Sequence, residues 1–257
     1  MTFADAQQRF SSRVADYIRY RPGYPPETIA LLRSECQLRP GHVVADIGSG
    51  TGFLSELFLK NGNRVYGVEP NEAMRQAGEE YLAAYDGFSS INGSAEATTL
   101  DDGSVDFVTA GQAFHWFRQE AARQEFRRIL KPSGWIVVAW NDRQMDTPFA
   151  SSYEDLLVKY GTDYKKVREA YPEEATMREF FTGGSMARYS LPNEQVFDLE
   201  GLIGRLRSSS YAPLEGSANY APMTAALEEL FRANQTDGRV RMEYSTHVYC
   251  GQLGKQA

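Results

Sequence analysis

The segment Asp46-Ile47-Gly48-Ser49-Gly50-Thr51-Gly52 constrains this chain more than any other stretch. Glycines at alternate positions let the backbone turn sharply and approach a ligand with no Cβ in the way. The apolar run Val43–Ile47 leads into the bend and reads as a buried strand. Phe53–Lys60 follows as a helix, with Leu54, Leu57 and Phe58 on one side and Asn61-Gly62 closing it. A second apolar run, Val65 to Val68, ends at Glu69, 21 residues after Gly48. A carboxylate at that distance can accept hydrogen bonds from both hydroxyls of a bound ribose.

Two kinds of ligand fit this loop poorly. A dinucleotide site needs a third glycine or an alanine at position 53, where this chain has Phe53. A phosphate-cradling loop ends in Gly-Lys-Ser/Thr, which is absent here. A nucleoside without a pyrophosphate remains. The bland alternative is a tight turn with no ligand, which Glu69 and the surrounding strand–helix rhythm disfavour.

That rhythm continues. A helix is expected from about Glu72 to Ala84, strands at Ser89 to Gly93 and Val105 to Ala110, and a helix carrying Ala122, Phe126, Ile129 and Leu130. Lys131-Pro132-Ser133-Gly134 reads as a turn and Trp135 to Trp140 as a fifth strand. About five such alternations imply an α/β fold with a mostly parallel sheet, whose ligands bind at the C-terminal ends of the strands. After Asn141 the rhythm breaks. Residues 142–185 read as a helical insertion over the substrate rim, too short to form a domain alone. Ala187 to Leu191 and Met242 to Cys250 alternate as late strands, with a helix from Phe197 to Leu206 between them. Residues 1–39 read as an N-terminal helical lid that includes Phe10, Tyr17, Tyr20 and Tyr24 with Arg9, Arg13, Arg19 and Arg21. Residues 40–141 form the ligand-binding core, and 186–257 complete the sheet, all within one domain.

Composition narrows the function. Hydrophobic residues at 42% and charged ones at 24% suit a soluble globular chain. A net charge of −7 disfavours nucleic acid as partner. Neither a signal peptide nor a membrane span is expected, so a cytoplasmic location is the default. Cys36 and Cys250, far apart in sequence, read as free thiols and neither a redox pair nor a metal cluster. His42, His115 and His247 stand in separate places, so no metal site is expected.

Several motifs together resemble one family. Asp46 to Gly52 is similar to the first motif of the class I S-adenosylmethionine-dependent methyltransferases, and Val68-Glu69-Pro70-Asn71 resembles their second. Asn92-Gly93-Ser94-Ala95-Glu96 with Leu100, Asp106-Phe107-Val108, and Ile129 to Gly134 resemble later motifs in the same order. The resemblance spans roughly residues 40–141. It is closest to the small-molecule branch that includes ubiquinone/menaquinone-biosynthesis (methyltransferase type 11) and trans-aconitate methyltransferases. It implies a Rossmann-like fold: a seven-stranded, mostly parallel sheet with an antiparallel last strand and helices on both faces.

The implied cofactor is S-adenosyl-L-methionine. Gly48, Gly50 and Gly52 would shape the loop beside its methionine moiety, and Asp46 would organise that loop and the ammonium group. Glu69 would hold the ribose hydroxyls, with Ala95 and Glu96 bordering the adenine. Pro70 and Asn71 either pack on adenine and ribose or start the next helix. In related members a segment like Gln112-Ala113-Phe114-His115-Trp116 closes over the sulfonium side.

Methyl transfer from a sulfonium to an oxygen, carbon or nitrogen is an in-line displacement, for which orientation can supply much of the catalysis. His115 is the first candidate base if the acceptor must lose a proton, and Gln112 lies beside it in sequence. Tyr20 and Arg21 are candidates on the acceptor side. Pro22 keeps Arg21 out of the helical region, and an arginine facing the cleft would pair with a carboxylic acid. A larger uncharged or phenolic metabolite is the alternative acceptor, and the chain would act as a monomer or homodimer. Rival functions are an inactive cofactor-binding regulatory domain, a nicotinamide oxidoreductase, and a structural protein that binds no nucleoside.

Overall fold

The computed structural model describes residues 13–169 and 174–254; Arg9, Phe10 and Pro172 lie outside them. Seven strands form one sheet in the order β3-β2-β1-β4-β5-β7-β6. They are β1 Val43–Ile47, β2 Arg64–Val68, β3 Phe88–Ile91, β4 Val105–Gly111, β5 Leu130–Arg143, β6 Ser185–Phe197 and β7 Val240–Gln252. The first five pair in parallel, with Val44 beside Val65 on one side and Phe107 on the other. β7 runs antiparallel to β5: Gln144 N donates to Glu243 O at 2.9 Å and Thr246 Oγ1 to Asn141 Oδ1 at 2.5 Å. Consecutive residues of β1 are buried because both faces of the sheet are covered.

Leu130, expected on the preceding helix, instead opens β5. Val105 pairs with Leu130 and Phe107 with Trp135, so Lys131–Gly134 bulge out opposite a single residue. The expected turn is therefore an outpouching within a strand. Lys131 Nζ reaches both oxygens of Asp106 at 2.9 and 2.8 Å, and that carboxylate also accepts from Val43 N at 2.8 Å.

The chain divides into two compact units, with boundaries that fall inside β5, β6 and β7. The sheet unit comprises residues 23–141, 174–191 and 246–254. It contains the helices α2 Glu27–Glu35, α3 Phe53–Lys60, α4 Glu72–Tyr81, α5 Gln119–Ile129 and α8 Glu174–Phe180. Successive strand residues alternate between two core clusters. Val44, Phe107 and Val137 pack with Leu32 and Phe58, whereas Ala45, Val108 and Ile136 pack with Phe126 and Phe180. Cys36 and Cys250 share the first cluster. Both are free thiols, as the sequence suggested, and both are buried. Cys36 caps the C-terminus of α2, and that helix shares its core cluster with β7.

The helical unit comprises residues 13–22, 142–169 and 192–245. Its helices are α1 Val14–Tyr20, α6 Pro148–Tyr160, α7 Tyr164–Glu169, α9 Leu199–Arg207 and α10 Tyr220–Asn234. They enclose a core of their own that includes Tyr153, Leu157, Leu202, Met223 and Leu227. The segment expected as one insertion, 142–185, is split: α6 and α7 lie in this unit and α8 in the other. Among the described residues no helix is long and apolar enough to cross a membrane.

Candidate functional site

The glycine loop joins β1 to α3, and Gly48, Gly50 and Gly52 adopt φ of +66°, +55° and +90°. A Cβ on Gly48 would stand 2.6 Å from the Ala113 Cβ, and one on Gly52 would stand 2.5 Å from Leu82 Cδ1. Only glycine satisfies both the left-handed backbone and the close approach. The loop is tied to β2, since Gly48 N and Ser49 N donate to the Val68 carbonyl at 2.8 and 3.2 Å. Asp46 is 1% exposed and accepts from Ser55 Oγ at 2.6 Å and Thr109 Oγ1 at 3.0 Å. Burial pushes its carboxyl up to about 6 against the pull of those two hydroxyls. Phe53 opens α3 and meets the Tyr81 ring edge-on at 5.6 Å, filling the position where a dinucleotide site is small.

Glu69 follows β2 and is fixed by two backbone amides. Oε2 accepts from Gly50 N at 3.0 Å and Oε1 from Asn71 N at 2.8 Å. Burial raises its carboxyl despite those amides and Arg75. Asn71 starts the next helix, because its Oδ1 caps α4 by accepting from Met74 N at 3.1 Å. Pro70 stands between these two residues. Ala95 is buried, and Glu96 Oε1 accepts from Arg118 N, the residue before α5, at 2.8 Å.

At the end of β4, Gln112 holds φ +55°, a costly backbone state for a residue other than glycine. Gln112 N donates to Ala139 O at 3.0 Å, and its Nε2 to Asn141 O at 3.0 Å. The Asn141 side chain in turn donates to Gly23 O at 3.1 Å and accepts from Thr246. Tyr24 lies across the same strand end: a Cβ on Gly111 would meet its hydroxyl at 2.4 Å. Sequence reasoning assigned no role to Asn141 or Thr246. The only signal for Asn141 was its place directly after the apolar run Trp135 to Trp140, and Thr246, among the polar residues of β7, had none.

A short 3-10 turn, Phe114–Trp116, carries His115, which is half-buried between Trp116 and Trp140 with ring centroids at 4.3 and 5.1 Å. That burial pushes its imidazole down to about 3, so the ring is neutral at physiological pH and a weak base.

Tyr20 and Arg21 belong to the helical unit. The Tyr20 ring covers Gly204 of α9, where a Cβ would sit 2.1 Å from it. Arg21 has φ −76° and ψ 146°, the extended backbone that Pro22 requires. Its guanidinium lies 5.2 Å from the Tyr17 ring centroid, and Nη2 donates to Ser208 O at 3.1 Å. Tyr17 lies against Arg21 and Tyr20 against Gly204 within the helical unit, and Tyr24 lies against Gly111 within the sheet unit. Among the described residues no cluster of three or more metal-ligating side chains occurs.

The residues of the loop fit a nucleoside cofactor. Glu69 has one lone-pair region left on each oxygen, and the Thr51 hydroxyl, 1% exposed within the loop, has no partner among the described residues. A family model for a methyltransferase domain matches residues 45–138. An uncharacterized methyltransferase of Schizosaccharomyces pombe is 30% identical over 243 residues, covering 89% of this chain and 90% of that protein. A methyltransferase-fold protein of Anaeromyxobacter dehalogenans superposes with a TM-score of 0.66 at 22% identity, over 92% of this chain and 100% of that one. A phosphoethanolamine N-methyltransferase of Haemonchus contortus was solved with phosphomonomethylethanolamine and S-adenosylhomocysteine. It superposes with a TM-score of 0.59 at 15% identity, over 98% of this chain and 59% of that one. These two structures bear on the fold alone. The loop, the acid and the relatives together place this chain among the class I S-adenosylmethionine-dependent methyltransferases.

Proposed function

We propose that the chain transfers a methyl group from S-adenosylmethionine to an oxygen, carbon or nitrogen of a small-molecule acceptor by in-line displacement. When bound, the cofactor supplies an electrophilic methyl on a sulfonium. The observation that carries the reading is the fixing of Glu69 by Gly50 N and Asn71 N, which presents a carboxylate beside the glycine loop. Glu69 accepts from the ribose hydroxyls. Gly48, Gly50 and Gly52 admit the methionine moiety, Asp46 holds the loop and the ammonium group, and Pro70, Asn71, Ala95 and Glu96 border the adenosine.

Gln112, held by Asn141, and His115 face the reacting end. A neutral imidazole can orient an acceptor by hydrogen bonding, and its low basicity favours an acceptor that is already nucleophilic or anionic over one from which His115 removes a proton.

Calorimetric titration with S-adenosylmethionine tests this reading on the wild type and on Glu69→Gln. The substitution removes the charge and places an N–H₂ against a backbone amide. Each hydrogen bond to a charged group contributes about 1.5–3 kcal/mol, so affinity should fall at least ~10-fold. An unchanged dissociation constant in a folded variant removes Glu69 from the site. A mass-spectrometric screen with labelled cofactor then identifies the acceptor.

A further inference from the structure

The helical unit buries more positive charge than its own carboxylates offset. Arg143, at the end of β5, donates through Nη2 to Glu154 and, at 3.3 Å, to the Tyr164 hydroxyl, while its guanidinium stacks 4.7 Å from the Tyr153 ring centroid. Glu154 is shared with Arg168 at 3.6 Å. Arg205, 5% exposed, donates to neutral oxygens: the Tyr244 hydroxyl at 3.3 Å and Ser209 Oγ at 3.0 Å. Arg21 donates to the Ser208 carbonyl. Buried charges are normally paired, and an isolated one is costly.

Buried donors of this unit without a hydrogen-bond partner among the described residues include Arg143 Nη1, Arg21 Nε and the Tyr153 hydroxyl. Such orphans are rare in native proteins. Tyr153 is only 1% exposed, so bulk water does not satisfy it. The cationic groups also converge on one aromatic cluster: Arg143 donates to Tyr164, whose ring meets Tyr211 edge-on at 4.8 Å in the core that holds Tyr153 and Tyr244, and Arg21 and Arg205 bond the consecutive residues Ser208 and Ser209. Burial alone would raise the Tyr211 phenol, but Arg205, Arg21 and Arg143 act on it together and bring it below its ordinary value.

We infer that this cluster binds a carboxylate-bearing small molecule, with Arg143, Arg21 and Tyr153 supplying donors and Arg205 supplying charge. A carboxylate suits the site because a guanidinium offers its planar fork to two oxygens. A phosphate monoester has three terminal oxygens and nearly two charges, free phosphate has four oxygens, and either would need more donors than the cluster leaves open. Identifying this molecule as the methyl acceptor rests on the function proposed above; the binding site itself does not.

The test uses the full chain and succinate as probe, with inorganic phosphate and sodium chloride at matched ionic strength as comparison arms. Thermal unfolding and calorimetry are measured on the wild type and on Tyr153→Phe. Succinate should raise the wild-type melting temperature more than either comparison salt. Tyr153→Phe removes an unpaired hydroxyl, so its ligand-free melting temperature should stay equal or rise, while its succinate affinity should fall at least fivefold. A merely structural tyrosine would show the reverse, a lower melting temperature with unchanged binding. The inference is overturned if succinate acts no differently from chloride, if phosphate binds more tightly, or if the variant binds succinate as the wild type does. Titrating S-adenosylmethionine into the same samples separates the two claims. Cofactor binding without succinate binding sinks this inference alone, and the converse sinks the methyl-transfer reading alone.

Discussion

Asp46 places a carboxylate with 1% exposure within β1, and that placement has a pH signature. Burial lifts it from an ordinary value of 3.8 to about 6, although Ser55 and Thr109 oppose the shift. A folded-state value above the unfolded one means that the native chain binds the extra proton. The associated stability is full below about pH 4 and is lost as pH rises through about 6. Two units correspond to about 3 kcal/mol. Asp46→Asn should therefore flatten the fall in stability between pH 4 and 6, measured by urea unfolding, while weakening S-adenosylmethionine binding. A variant that keeps the wild-type slope would show that Asp46 is not the titrating group.

At this scale the sequence disclosed what the backbone dictates. Positive φ favours glycine, so Gly48, Gly50 and Gly52 were visible, as was Glu69 at its fixed spacing. The neutrality of His115 was not visible, because it depends on Trp116 and Trp140 closing around the ring.

Among the elements, α3 matched its sequence boundaries because Gly52 precedes it and Asn61-Gly62 stops it. β5 was harder to bound, since a Pro-Ser-Gly outpouching interrupts the apolar run that identifies it. The 15-residue helix α10 went unread. It begins without a side-chain cap, contains Pro222 and follows a stretch rich in serine and glycine that suggests a loop. Its signal was the spacing of Met223, Leu227 and Phe231, all buried on one face. Leu227 is 0% exposed within the core of the helical unit. Leu227→Ala should cost about 2–5 kcal/mol by urea unfolding, through lost burial and a cavity. A cost below about 0.5 kcal/mol, the level of an ordinary surface substitution, would mean that α10 contributes little to this core.

Across the whole molecule, a net charge of −7 conceals a buried cationic cluster. Charge counting reports how many groups ionise and not which ones the fold hides, so composition argues against a nucleic-acid partner yet says nothing about an internal anion site. The two cores also separate the two chemistries. The glycine loop and Glu69 lie in the sheet unit, and Arg143, Arg205 and Tyr153 in the helical unit. Hydrogen exchange can test that separation. A ligand at 100 times its dissociation constant stabilises the native state by about 2.7 kcal/mol, which slows amides that exchange through global unfolding about a hundredfold wherever they lie. The assignment must therefore be read from amides that exchange through local opening. S-adenosylmethionine should protect such amides in residues 48–52 and 69–71, and succinate those in 205–212. If S-adenosylmethionine leaves 48–52 unchanged and protects 205–212 instead, the glycine loop is a structural turn and the cofactor assignment is wrong.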